Sequence, residues 1–209
     1  MNDLSKDTAI LATAYLPPVQ YFSKLKSYNK CLIEHHEHFP KQTYRNRCEI
    51  YSPNGSLTLS VPLVKRGQRQ AVKDIRISYD SDWQKLHWRS LESSYRRSPF
   101  FEYYEDDLAP FYHDKKFEFL IDLNEAILPV LLDLLKLKVN YSFTFSYEKE
   151  YPDAADFRSL ISPKEDIKND PDFRPEPYMQ VFEPRHGFIP NLSVVDVLFN
   201  QGSKALDFI

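Results

Sequence analysis

The apolar positions of this chain fall first as an unbroken run, then at helical spacing, then as a run again. Thr8–Tyr15 reads TAILATAY, a short apolar run suited to a buried strand, and Leu16-Pro17-Pro18 ends it. A proline is harmless in the first turn of a helix, where its missing N–H would have no partner anyway. The spacing therefore predicts a helix over Pro18–Tyr28 with Val19, Phe22 and Leu25 on one stripe, followed by a second strand over Lys30–His36. Strand, helix and strand in this order form the minimal unit of a parallel sheet, whose ligands bind at the carboxyl ends of the strands. Tyr15 and the His35-His36 pair are expected on that edge.

The period then changes to two. RCEIYS and SLTLSVPLV flank Pro53-Asn54-Gly55, and Asn-Gly between alternating runs is a strong hairpin signal. Pro62 places the second arm at an edge. Lys65–Gln70 is a polar loop, and Val72–Ser78 alternates as a third strand of the same ribbon. Asp82 is positioned to cap a helix running from Trp83 to Arg97, which Pro99 stops. Short helices are predicted over Phe100–Tyr112 and a long one over Phe117–Lys136, kinked at Pro129. Tyr141–Tyr147 alternates as a strand of the first sheet. Residues 148–177 hold five prolines and are expected to be irregular and in part mobile. Met179–Phe182 reads as a last short strand, and Asn191 or Ser193 as the cap of a final helix that Gly202 ends. The fold class is thus α/β: a small parallel or mixed Rossmann-like sheet, an inserted antiparallel β-ribbon over residues 41–80 and flanking helices, in one domain spanning residues 1–209.

Charge changes this picture by locating a surface. Residues 41–97 carry twelve Lys and Arg against five Asp and Glu, whereas residues 98–209 carry eleven against twenty-one, so the formal net charge of -3 hides a dipolar molecule. Such a basic segment attracts anions, and arginine's planar fork suits phosphate or carboxylate. Four glycines, none clustered, argue against a Gly-rich phosphate loop, so an anion site here is made of side chains. Cys31 and Cys48 lack metal or redox spacing and are expected to be buried reduced thiols. The polar start Met1–Asp7 resembles neither an export signal nor an anchor, and no apolar run reaches the roughly 20 residues of a membrane span. A cytoplasmic protein is the expectation.

The blocks TAYLPPVQYFSKL, KQTYRNRCEI, LTLSVPL, DIRI, WQKLHWRSLESSYRRSPFFEYY, LIDLN and PNLSVVDVLFNQG, in this order, resemble the WbqC-like protein family in its compact Bacteroidetes form. The resemblance implies a role in O-antigen or surface-polysaccharide biosynthesis, with a sugar, sugar nucleotide or acyl-type substrate. Longer members carry Gln-Pro before the Tyr-Leu-Pro block and a later Ser-Gly-Pro-Ala-Gly stretch; this chain has Thr13-Ala14 at the first and lacks the second.

The residues singled out follow from the pattern. Lys41, Tyr44, Arg45, Asn46 and Arg47 concentrate donors after a sheet edge, and alternation sends Arg45 and Arg47 to one face, where they can hold a phosphate or carboxylate. His87 is placed as an acid-base group and Tyr15 as its neighbour at the reacting end of the ligand. Asn191 precedes the last helix and either contacts an anion or caps that helix. Glu34, His36 and His38 share a strand face, but no further ligand is signalled, so neither metal nor cofactor is assigned. The expected function is a transferase-like enzyme binding an anionic small molecule such as a sugar nucleotide; the alternative is a non-catalytic assembly protein whose basic ribbon docks an acidic partner. Nucleic-acid binding, with an acidic overall balance and no recognised module, ranks last.

Overall fold

The computed structural model describes residues 7–64, 70–113 and 116–209. Strand β1 (Thr8–Ala12), helix α1 (Val19–Ser27) and strand β2 (Lys30–Glu34) form the parallel unit, with Thr8 facing Lys30 and Ala12 facing Glu34. Strand β1 ends before its apolar run does. Leu16 turns through φ 42°, and Pro17-Pro18 then delivers the chain into α1. Strand β5 (Tyr141–Phe143) pairs parallel with β2, and β6 (Ala155–Asp156) pairs parallel with β1, giving the order β5-β2-β1-β6. The chain departs from β1 in both directions along the sheet, so the topological switch point lies between β1 and β6. No helix among the described residues is long and apolar enough to cross a membrane.

The hairpin consists of β3 (Arg47–Ser52) and β4 (Gly55–Ser60), antiparallel and separate from the parallel sheet. Pro53 and Asn54 occupy the turn, and the positive φ of 98° falls on Gly55 alone, as expected when proline holds the first turn position at negative φ. Two predicted features are corrected here. Residues 41–46 form bends and turns before the ribbon, and the third ribbon strand does not form: Val72–Asp74 is a 3₁₀ turn, and Ile77 and Arg76 make single bridges to Leu63 and Phe119. The apolar side chains of Val72, Ile75 and Ile77 are buried without forming a ladder. The loop predicted over Lys65–Gln70 lies outside the described residues except for Gln70.

Helices α2 (Trp83–Tyr95), α3 (Phe101–Leu108), α4 (Pro110–His113) and α5 (Leu120–Leu134) follow, with Pro129 inside α5. Asp82 makes no capping side-chain bond. Met179–Phe182 is loop and turn rather than strand; it leads into the single-turn helix α6 (Glu183–His186) and then α7 (Val194–Gln201). Residues 191–194 dock on the double-proline turn, with Val19 N to Leu192 O at 3.0 Å, Val194 N to Pro17 O at 2.9 Å and the Ser193 hydroxyl donating to Leu16 O at 2.8 Å. The two ends of the chain are thereby tied, and one hydrophobic core joins strands of both sheets to the helices. Cys31 and Cys48 are free and buried within it; burial pushes the Cys31 thiol up to about 11.

Residues 144–158 are ordered by a carboxylate. Glu34, the last residue of β2, is 0% exposed. Its Oε1 accepts from His36 N (2.6 Å) and the Thr144 hydroxyl (3.1 Å), and its Oε2 from the Tyr151 hydroxyl (3.1 Å) and Arg158 Nη1 (3.4 Å). A buried charge is tolerable only when so many donors surround it. The stretch predicted to be irregular therefore wraps Glu34 and supplies β6. Glu34→Leu is expected to leave Arg158 short of a partner and to destabilise the fold by about 3–5 kcal/mol, read as the loss of denaturation midpoint in urea; a loss within about 0.5 kcal/mol, the ordinary surface range, contradicts this role.

Candidate functional site

A cavity of about 400 Å³ opens at the carboxyl end of the parallel sheet, beside the switch point. Its walls come from the segments that leave β2, β5 and β6: Glu37 and His38, then Tyr147 and Lys149, then Asp156 and Arg158. Arg45 closes it from the turn before the hairpin. Thr43, Ser159 and Ser162 add hydroxyls.

Both arginines are held by carboxylates. Arg45 is 3% exposed and gives Nε and Nη2 to Glu37 Oε1 at 2.7 and 2.5 Å. Burial pushes the Glu37 carboxyl up, against the pull of Arg45. Arg158 spends its whole fork on the protein: Nε and Nη2 on Asp156, Nη1 on Glu34 and Glu148 O, and Nη2 again on Lys149 O. Its guanidinium also sits 5.4 Å from the Tyr147 ring centre and 4.9 Å from that of Tyr151. Arg158 is therefore a strut that fixes the wall and holds Tyr147, itself 49% exposed, as an aromatic face at the rim. Lys149 is an exposed cation of the lining. With carboxylates balancing the buried guanidiniums, the interior is polar and close to neutral. Such a surface suits a hydroxyl-rich guest that both donates and accepts.

The residues predicted from sequence are distributed as follows. Of Lys41, Tyr44, Arg45, Asn46 and Arg47, only Arg45 lines this cavity. Arg45 precedes the strand, so strand alternation does not place it with Arg47; Arg47 starts β3, where its charge acts on Glu49. Tyr44 is buried and its carbonyl accepts from Tyr15 N at 2.9 Å. Asn46 extends the hairpin, its Nδ2 donating to Val61 O at 2.9 Å. Lys41 is exposed, and its carbonyl accepts from Lys164 Nζ. Asn191, in the left-handed region at φ 55°, does cap a helix, but the first one: its Oδ1 accepts from Gln20 N at 2.9 Å, at the start of α1.

Tyr15 and His87 do meet, but neither lines the cavity. The Tyr15 hydroxyl lies 2.9 Å from His87 Nδ1 and 2.8 Å from the Tyr112 hydroxyl, and the Ser60 carbonyl provides the imidazole with a further hydrogen bond. Tyr15 is 0% and His87 2% exposed. Burial lowers the His87 pKa to about 4, so the imidazole is a neutral core group at physiological pH. Of the proposed carboxylate-imidazole face, Glu34 is consumed by its four donors and His36 Nε2 lies 3.1 Å from Thr144 O; no cluster of three or more His, Cys, Asp or Glu side chains that could hold a metal occurs among the described residues.

Sequence reasoning missed Glu37, Lys149, Asp156 and Arg158. Glu37 had a signal, as an acid next to the basic block, but the others lie in a stretch whose two-residue strand leaves no period to read. It also missed Asn124 of α5, which is 2% exposed and gives Nδ2 to the Thr13 hydroxyl (3.1 Å) and to Arg45 O (2.9 Å), tying the tip of β1 to the arginine turn.

The WbqC-like protein family matches the chain over residues 13–162. An uncharacterised protein of Mycobacterium tuberculosis, Rv1507c, is 26% identical over 98% of this chain and 97% of its own length. No solved structure matches. The family match runs from the tip of β1 to Ser162 and so contains the whole cavity wall.

The His87 environment makes a prediction. Its imidazole NMR signals are expected to stay constant from pH 8 to pH 5 and to move only near pH 4. Because the folded pKa lies below the usual 6.5, the unfolded chain binds the extra proton first. Stability contributed here is full above pH 6.5 and lost as pH falls towards 4, and His87→Gln removes that part of the acid sensitivity. Titration near 6.5 contradicts the buried assignment.

Proposed function

The chain belongs to the WbqC-like protein family, and from that premise we propose that it is a transferase-like protein of surface-polysaccharide metabolism whose sheet-edge cavity holds a sugar nucleotide or related anionic sugar. The observation that carries this reading is the make-up of that cavity. Guanidinium-carboxylate pairs line a pocket of about 400 Å³ with an exposed tyrosine ring and an exposed lysine in its lining. Sugar hydroxyls find acceptors in Glu37 and Asp156 and donors in Thr43, Ser159 and Ser162; Tyr147 offers its ring to the apolar face of a pyranose. Lys149 faces the phosphate. In this arrangement Arg45 acts as a substrate-binding residue through the wall it builds with Glu37.

Acid-base work falls to the imidazole that lines the cavity. His38 is exposed at the rim, whereas Tyr15 and His87 hold the β1 turn against α2 and α4 and act on the ligand only through that placement. Their burial favours a second reading, in which the cavity binds an anionic sugar without turning it over and the protein works as an assembly or carrier component.

Thermal shift and calorimetry across nucleotide sugars and sugar phosphates separate these cases. The expected result is saturable binding of at least one such ligand, weakened about tenfold by Lys149→Gln or Tyr147→Ala; both side chains are exposed, so the fold survives the change. His38→Gln is expected to abolish turnover while leaving binding within about threefold. A broad panel with no ligand sinks the proposal, and binding without turnover under any acceptor selects the carrier reading.

A further inference from the structure

We propose a second ligand site, distinct from the sheet-edge cavity, that takes a phosphate-bearing small molecule. A cavity of about 680 Å³ lies between the hairpin tip at Pro53, the C-terminal half of α2 and the turn of α6. Arg89 of α2, Arg96 and Arg97 just past its C-terminus and Arg185 of α6 line it, with Ser94 and Phe182. Glu92 is the one carboxylate among its lining residues. It is taken by Arg96, whose Nη2 lies 2.7 Å away and whose Nη1 reaches Glu105 at 3.2 Å. The guanidinium groups of Arg89, Arg97 and Arg185 have no ion-pair or hydrogen-bond partner among the described residues. The contrast with the sheet-edge cavity is chemical. There each guanidinium is already matched to a carboxylate; here three forks stand unmatched around one hollow.

The helix dipole accounts for part of this charge, since cations near the C-terminus of α2 are favourable. It does not account for Arg89, placed well before that end, or for Arg185, which comes from another part of the chain. The element carrying Arg185 is fastened to the hairpin. The Tyr51 hydroxyl hydrogen-bonds the carbonyls of Phe182 (3.2 Å) and Gly187 (2.6 Å), and His186 Nε2 lies 2.9 Å from Pro53 O. Those bonds fix the backbone turn that carries Arg185 beside the same cavity as Arg89 and Arg97 before any ligand arrives, which lowers the ordering cost of binding. Ser94 adds a polar group that the protein leaves unused: it is 1% exposed and its hydroxyl has no partner among the described residues.

Phosphate is the guest that matches planar two-pronged donors held around a concavity, since each fork can take two of its oxygens. The volume exceeds what inorganic phosphate needs and falls in the range of drug-sized ligands. Phe182 adds an aromatic face beside the arginines. The class that fits is a nucleotide or another small molecule carrying a phosphate or pyrophosphate, bound as substrate part or effector independently of the sheet-edge reading.

The test is calorimetry on the full chain at low salt with pyrophosphate, UDP and inorganic phosphate as probes. Saturable binding of pyrophosphate is expected, falling steeply with added salt and weakening by roughly tenfold for each of Arg89→Gln, Arg97→Gln and Arg185→Gln. Unchanged melting temperatures are expected, since all three side chains are exposed. Lys149→Gln, which alters the other cavity, retains the binding, so failure of one site is told from failure of the other. UDP bound more tightly than pyrophosphate supports a nucleotide; pyrophosphate bound equally well supports the phosphate group alone. Binding that survives the triple substitution, or no heat with any probe at millimolar concentration, overturns the proposal. So does a single-stranded oligonucleotide that binds where the small probes do not.

Discussion

A charge removed from water at the end of a β-strand governs the architecture of this protein. Glu34 completes β2 in a position with no solvent access, and an isolated carboxylate there would cost several kcal/mol. The chain meets this demand by sending four donors from residues 36, 144, 151 and 158 to its two oxygens. Two of them, Tyr151 and Arg158, belong to the proline-rich, charged stretch that follows β5. That stretch is held by this polar demand together with the burial of Phe157, Ile161 and Phe173. Once Arg158 is drawn in, Asp156 follows as its bidentate partner, and Ala155–Asp156 falls into register beside Ala9–Ile10.

The basic segment divides along the same logic of matched and unmatched charge. Arg45 is swallowed by the fold and spends its fork on Glu37, and Arg76 pairs with Glu118 on the surface. Arg89 on α2 and Arg97 just past its end remain open to solvent. A sequence count of positive charge treats these side chains alike. Their capacity to receive an anion differs because a buried guanidinium must be neutralised internally, while an exposed one is hydrated and exchangeable.

The β1-α1-β2 unit, the hairpin and α5 were legible because proline, glycine and apolar spacing punctuate them strongly. The ends of β1 and β2 were not: the apolar run continues through Tyr15 because the turn itself is buried, with Tyr15 and Leu16 at 0% and 1% exposure. Val72–Ser78 misled for a related reason, since alternate burial is compatible with a turn pinned by two isolated bridges. His87 was readable as a polar group on an apolar helix face, and only the third dimension shows that its hydrogen-bond partner is Tyr15 in the core. Asn191 was expected to cap the last helix; its side chain instead accepts from Gln20 N at the start of α1, 171 positions away in sequence, a separation no local pattern records.

The parallel sheet is bounded by β5, with three residues, and β6, with two. An exposed sheet margin is normally a template on which a neighbouring chain can add a strand. Here the outer rows of backbone groups are too brief to hold a foreign segment in register, and the longer strands β1 and β2 are enclosed between them. The same shortness that hides β6 from sequence inspection thus shields the protein against cross-chain polymerisation, even with the fully exposed Phe145 placed just beyond the end of β5.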